Sequence, residues 1–189
     1  MKKPLKKTQV LIFLVFLLSS CHNIFAPETG DIGKTGLLYQ PVMDRPNVVL
    51  ENFRYAYIYR DSLIYSTLID SNFVFVYYEP DDEGGGGHYE SWPRDVELRT
   101  TGGLFRAFRP IDLIWNSTLD SSFSYMREDT LLKTEKTWFD SANYAEIVKS
   151  FQLNLGENLV IIGSAIFNFV RNPWDKQWRI VKWRDESSF

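Results

Sequence analysis

Phe73-Val74-Phe75-Val76-Tyr77-Tyr78, a β-branched and aromatic run stopped by Pro80, marks the point where the chain changes period. On its N-terminal side the apolar residues recur as on a helix; well after it they alternate as on strands. Pro46 has a fixed φ that suits a first helical turn, and Val49, Phe53, Ala56 and Tyr57 then fall at i, i+4, i+7 and i+8. This predicts an amphipathic helix ending near Arg60. Asp61 can cap a second, short helix whose apolar face is Ile64, Tyr65, Leu68 and Ile69.

Working outward, Asp81 to Gly87 is acidic and then four glycines, which predicts a loop. Pro93, with Asp95 and Glu97 in the turns that follow, predicts a third helix toward Phe105; Gly102-Gly103 weakens it by about 1 kcal/mol per glycine. Beyond Arg109 the pattern is that of strands. Ile111, Leu113 and Trp115 alternate, and Ala145, Ile147, Phe151, Leu153 and Leu155 all fall on odd numbers. Gly156-Glu157-Asn158 reads as a hairpin turn, Leu159 to Arg171 as a long strand, Asn172-Pro173 as the next turn and Trp178 to Trp183 as the last strand. Helices followed by meandering strands describe an α+β domain with an antiparallel sheet.

The first 45 residues read as an address and a tether. Lys2, Lys3, Lys6 and Lys7 precede an uninterrupted apolar run, Val10 to Leu18, that is far shorter than the roughly 20 residues needed to cross a hydrocarbon core. Leu18-Ser19-Ser20-Cys21 closes it with small residues before the only cysteine. This stretch resembles a bacterial lipoprotein signal peptide with its lipobox. The resemblance implies that residues 1–20 are removed, that Cys21 is diacylated as the new N-terminus, and that the acyl chains hold the protein to the membrane of the cell envelope. His22 stands where an Asp would signal retention in the inner membrane, so the outer membrane is favoured in a host with two. From His22 to about Pro46, Gly, Pro and Thr without a period read as a tether. Gly33-Lys34-Thr35 has the ending of a phosphate-binding loop, but Glu28 occupies the place of its first glycine.

Composition narrows the partners. Removing residues 1–20 takes away four of the 21 basic residues and no acids, which moves the net charge from −3 to −7. An acidic mature domain argues against nucleic acid. The aromatic share, 16%, supplies the apolar area for a large core in a modest chain.

Residues 46–189 are expected to form the folded domain. Within it Phe53-Arg54-Tyr55-Ala56-Tyr57, Arg60-Asp61, Tyr65 to Asp70, Phe73-Val74-Phe75-Val76 and Trp178-Arg179-Ile180-Val181-Lys182-Trp183 are similar to the NTF2-like superfamily, which includes SnoaL-like and ketosteroid-isomerase-like proteins. The resemblance implies a cone: a strongly curved antiparallel sheet wrapped around N-terminal helices, with a pocket at the wide end. On segments that would line the cone stand Tyr57, Phe75, Trp115, Phe167 and Trp178, with Asp61 at its mouth; these are the candidate contacts for a small apolar ligand, and packing of a core is their competing role. In ketosteroid-isomerase-like members a tyrosine eight residues before the helix-ending Asp and a carboxylate in the first strand do the chemistry. Here those positions hold Phe53 and Tyr77, and Glu79 reaches the second only by a two-residue shift.

No other catalytic arrangement stands out, and no cofactor or metal is predicted. His88 lies beside the glycine run, too loosely placed for a triad. Asp81, Asp82, Glu83 and His88 could hold a cation, but read more simply as a solvated loop. The expectation is a non-enzymatic envelope domain that binds a small apolar molecule or a protein, with a pocket enzyme or a dimeric scaffold as alternatives. A homodimer is expected from Leu159 to Phe169, where Leu159, Ile161, Phe167 and Phe169 are apolar on one parity and Val160, Ile162 and Ile166 on the other. The alternative cover for the second face is Leu37 and Leu38 of the tether.

Overall fold

Pro46–Tyr59 is α1, and its buried stripe is Pro46, Val49, Leu50, Asn52, Phe53, Ala56 and Tyr57. It ends where Arg60 turns left-handed (φ 56°) and the Asp61 N–H returns to the Ala56 carbonyl at 2.8 Å. Asp61 then caps α2, Ser62–Leu68, its carboxylate accepting the Ile64 N–H at 2.9 Å. Strand β1, Ile69–Pro80, follows without a loop, so Ile69 belongs to the strand and not to the helix face. The computed structural model describes residues 38–80, 86–127, 130–134 and 142–186, all within the unit Thr35–Phe189.

β2, Gly87–Pro93, pairs back on β1, and α3, Arg94–Ala107, starts at its end with Asp95 and Glu97 in the first turn. The remaining strands are β3 (Ile111–Arg127), β4 (Thr130–Thr134), β5 (Tyr144–Leu155), β6 (Leu159–Arg171) and β7 (Trp178–Asp185). They form one seven-stranded sheet in the order β2-β1-β7-β6-β5-β3-β4. Every pair is antiparallel except β1 with β7, whose intervening chain is long enough to return in the same direction. β3 slips register between Trp115 and Ser117 and again between Thr118 and Asp120, the kind of irregularity that bends a strand. Sequence pattern leaves β2 and β4 unforeseen: β2 is polar and exposed along most of its length.

The parity read from the sequence sets the two faces. Ile147, Leu153 and Leu155 of β5 and Ala165, Phe167 and Phe169 of β6 point inward and are buried with α1 and α2. Val160 and Ile162 point outward and stay 53% and 62% exposed. Leu38, also expected as a cover for that face, is itself 68% exposed. The segment around it lies on α1 instead. The Asn52 side chain, fully buried, accepts the Gln40 N–H at 2.9 Å and donates to the Gln40 carbonyl at 2.7 Å, and Tyr39 meets Tyr55. Met43, placed by composition in the tether, is buried, and its carbonyl accepts the Trp178 N–H at 2.8 Å. Leu37 lies outside the described residues.

Candidate functional site

The wide interior enclosed by α1, α2 and the sheet is built around Phe53, 2% exposed. Its position in the α1 stripe aims it away from solvent, and each wall sends a ring to meet it. The centroids of Tyr57, Tyr65, Trp115, Phe167 and Trp183 lie 4.7, 5.4, 5.9, 5.7 and 5.4 Å away. All are within the range of favourable ring pairs, each stabilising by about 0.5–1.5 kcal/mol beyond its burial. Phe167 stacks on Trp183 at 5.6 Å, and Trp115 is fixed by donating its indole N–H to the Leu50 carbonyl at 3.1 Å. The interior is thus occupied by side chains from α1, α2, β3, β6 and β7. Two recesses outlined by described residues lie away from this ring cluster, one of about 570 Å³ near Asn143, Arg171 and Pro173 and one of about 220 Å³ between Pro46 at the start of α1, Phe123 and the inward-facing Ile147.

Among the described residues one carboxylate reaches this interior. Glu97 of α3 is 2% exposed, and its Oε1 accepts from the Tyr65 hydroxyl at 2.6 Å and the Thr101 hydroxyl at 2.7 Å. Its Oε2 accepts the Trp92 indole N–H at 2.8 Å. Three neutral donors therefore replace water around a buried carboxylate, and among the described residues no cation pairs with it. Burial, and next the Glu97 charge, push the Tyr57 phenol far above its ordinary value. Tyr65 is raised in the same way, by burial first and then by Tyr57 and Glu97. Both phenols stay protonated at neutral pH, and Tyr65 is held as a donor. Trp92, which closes this network toward the rim, stacks on Phe75 at 4.4 Å and lies 4.9 Å from Tyr77.

Chemically, such a carboxylate could serve as an acid or base if a substrate displaced one of its donors. Three of its roughly four acceptor sites already hold short bonds from groups that are themselves packed. Tyr77, where the resemblance to ketosteroid-isomerase-like proteins puts the strand base, has its phenol raised by desolvation and then by Glu79 and Glu90, so it stays protonated at neutral pH. Glu79, His88 and Glu90 stand together on the β1–β2 hairpin with ligand atoms within 4.8 Å of one another, and His88 bonds Glu90 at 3.0 Å. All three are exposed, and among the described residues nothing further at the hairpin points to an ion. Asp81, Asp82 and Glu83 lie outside the described residues, as does Cys21.

The residues chosen from sequence have these places. Tyr57, Phe75, Phe167 and Trp178 are buried in the core, and Trp115 is packed against it. Tyr57, Trp115 and Phe167 converge around Phe53; Phe75 sits on the β2 side against Trp92 and Trp183; Trp178 lies under the Met43 carbonyl. Asp61 is spent on the α2 cap. The Glu97 cluster is absent from the sequence reading because a carboxylate in the first turn of a helix is ordinarily a solvated dipole partner. A signal was present all the same: stepping back by four from the apolar Phe105 gives Thr101 and then Glu97 on one helix face.

Order and curvature of this sheet, with three helices closing its concave side, decide the architecture. The fold is the NTF2-like cone. Solved structures similar to it include a conserved protein from Planctomyces limnophilus (TM-score 0.52, 13% identity, 75% of this chain and 92% of that one). Others are an NTF2-like protein of unknown function from Pseudomonas putida (0.52, 10%, 76% and 84%) and a candidate scytalone dehydratase from Novosphingobium aromaticivorans (0.51, 11%, 76% and 81%). Likeness at these identities is one of fold alone. No protein-family model and no curated protein matches the sequence. Among the described residues no helix of the NTF2-like domain is long and apolar enough to cross a membrane.

Proposed function

We propose that this chain is a lipid-anchored cell-envelope protein whose NTF2-like domain works without catalysis, as an association module that binds protein through the outer face of its sheet and pairs with a second copy there. The observation that carries this is Phe53: five rings from five elements converge on it, so the interior where the cone would take a ligand is filled. The outer face speaks the same way. Val160 and Ile162 are exposed side by side in parity, and Tyr39 and Gln40 lie against α1 and not on that face. The anchor rests on the lysines, the apolar run and Leu18-Ser19-Ser20-Cys21. Two acyl chains on Cys21 hold firmly where one is marginal, and with His22 in the next position the outer membrane is favoured in a host that has two.

A second reading, a pocket enzyme, is favoured by one observation, the uncharged cage around the Glu97 carboxylate. The two readings differ in what Ile162→Lys does. As an association surface, the face loses its self-pairing, and sedimentation at micromolar concentration shifts from dimer to monomer; a wild-type protein that is already a soluble monomer refutes the pairing. For the anchor, mass spectrometry of the mature N-terminus shows acylated Cys21, and Cys21→Ser leaves an unprocessed or released protein. An unmodified Cys21 in membrane-bound mature protein refutes it.

A further inference from the structure

Strand β2, Gly87–Pro93, stands at one end of the sheet, and among the described strands it pairs with β1 alone. That pairing runs from Val74 with Pro93 to Pro80 with Gly87 without a register shift. In an edge strand the N–H and C=O of every second residue point away from the sheet, a row with which another strand can pair. Sheets ordinarily blunt such a row with lysine, proline, a bulge or shortness. The opposite edge, β4, is five residues long and carries Lys133. β2 is seven residues long and has no lysine or arginine, no bulge, and a proline only as its last residue. It is a straight, unprotected template for main-chain pairing.

Side chains of the β1–β2 hairpin select what pairs there. Directly opposed residues share a face, so Tyr77, Glu79, His88 and Glu90 stand on the concave side and Tyr78 and Tyr89 on the outer side. Glu79 and Glu90 are exposed, His88 bonds Glu90 at 3.0 Å, and neither strand contains a lysine or arginine. On the outer side Tyr78 and Tyr89 meet edge to face at 5.6 Å and remain 47% and 52% exposed. The Arg184 guanidinium already lies over the Tyr89 ring at 5.6 Å, so a further cation is favoured on the glutamate side only. A strand laid beside β2 alternates in the same way: a positive charge suits the residue opposite Glu90, and an apolar side chain suits its neighbours opposite Tyr89 and Ser91. A second copy is disfavoured, because full antiparallel pairing of β2 with itself sets Glu90, its middle residue, directly opposite its own counterpart. We propose that β2 takes up an extended segment of a partner protein, in which lysine or arginine alternates with apolar residues, as an added strand of the sheet. Main-chain bonds supply the affinity and the alternation supplies the selection. β1 and β7 separate this edge from β6, so it does not depend on pairing at Val160 and Ile162.

The probe is the acetylated and amidated peptide Lys-Val-Lys-Val-Lys-Val-Lys, added to the full-length protein. Hydrogen exchange followed by mass spectrometry slows at residues 87–93 when it binds. Two forms of the peptide, N-methylated on the main chain at every lysine or at every valine, read the pairing itself. Only one of these sets of N–H groups faces β2, so one form loses affinity by at least about tenfold while the other keeps it. The double change Glu79→Gln and Glu90→Gln, confined to exposed side chains, weakens binding by about three- to tenfold. An unaltered exchange rate at 87–93 with millimolar peptide overturns the proposal. Two N-methylated forms that bind alike also overturn it, since the contact is then one of charge and not of main chain. A Glu-Val-Glu-Val-Glu-Val-Glu peptide that binds as tightly removes the stated partner chemistry. Exchange at 87–93 that slows with protein concentration alone gives the edge to a second copy and overturns the partner segment.

Discussion

Phe53→Ala is the sharpest test of a filled cone. The ring removed is 2% exposed and meets five others, so the change deletes its transfer energy and leaves a cavity. Substitutions of this kind cost about 3–5 kcal/mol. At about 2–4 °C per kcal/mol for a domain of this length, the unfolding midpoint falls by roughly 6–20 °C. Collapse into the space is restricted, because the neighbouring rings are held by other bonds: Trp115 by the Leu50 carbonyl and Tyr65 by Glu97. The expected product is a dry apolar cavity of a size that accepts benzene.

Calorimetric unfolding with and without benzene reads both effects. Wild type is indifferent to benzene, whereas Phe53→Ala is stabilised by it, by about 2.7 kcal/mol at a ligand concentration 100 times Kd. Should the alanine variant fail to fold, Phe53→Leu, at about 1 kcal/mol, provides the smaller step in the same direction. Benzene that stabilises the wild type would reveal an open pocket and refute the filled interior. So would a Phe53→Ala variant that loses less than about 1 kcal/mol, since a ring at a true convergence cannot leave so cheaply.

The other expectations concern the network and the helix that carries it. Tyr65→Phe removes a bond to a buried carboxylate and lowers stability by about 1.5–3 kcal/mol; an unchanged urea midpoint would mean that Glu97 does not depend on it. Tyr57 and Tyr65 both have folded values above the ordinary 10.0, so the folded state keeps protons that the unfolded state releases. Stability from them is therefore complete below pH 10 and declines as pH rises beyond it. In an ultraviolet titration these two phenols ionise only as the protein unfolds, and their reversible ionisation in the native state near pH 10 contradicts the burial. Gly103→Ala in α3 meets no atom closer than Arg106 Nη2 at 3.9 Å, and stabilises by about 1 kcal/mol as measured in denaturant.

Periodicity carried most of the fold because each helix and long strand buries one face. Val49, Phe53, Ala56 and Tyr57 are buried together, and so are Ile147, Leu153, Leu155, Phe167 and Phe169, as their spacing predicts. β2 escaped because an edge strand with both sides largely in water has no parity to read. Met43 escaped because the pair Val42-Met43, between Pro41 and Asp44, has no periodic partner; the Met43 carbonyl is fastened by the N–H of Trp178, far along the chain.

The candidate site was legible by residue type and not by arrangement. Alternation assigns Trp115 and Phe167 to the concave side, yet says nothing of whether rings on opposite walls stand apart as the lining of a pocket or meet as a plug. That depends on distances across the cone, and Phe53 closes them: where a tyrosine would bring a hydroxyl to a ligand, its bare ring meets five others at 4.7–5.9 Å. Glu97 follows from the same filling. Tyr65 and Trp92, committed to the ring cluster, carry an O–H and an N–H that gain by bonding an acceptor once they are packed among apolar side chains. One carboxylate, with Thr101 a turn further along α3, accepts both. On this account an aromatic core by itself accounts for a buried charge. The large apolar side chains that the described residues leave to water include Val160 and Ile162 on the outer sheet face and Trp174 on the turn between β6 and β7.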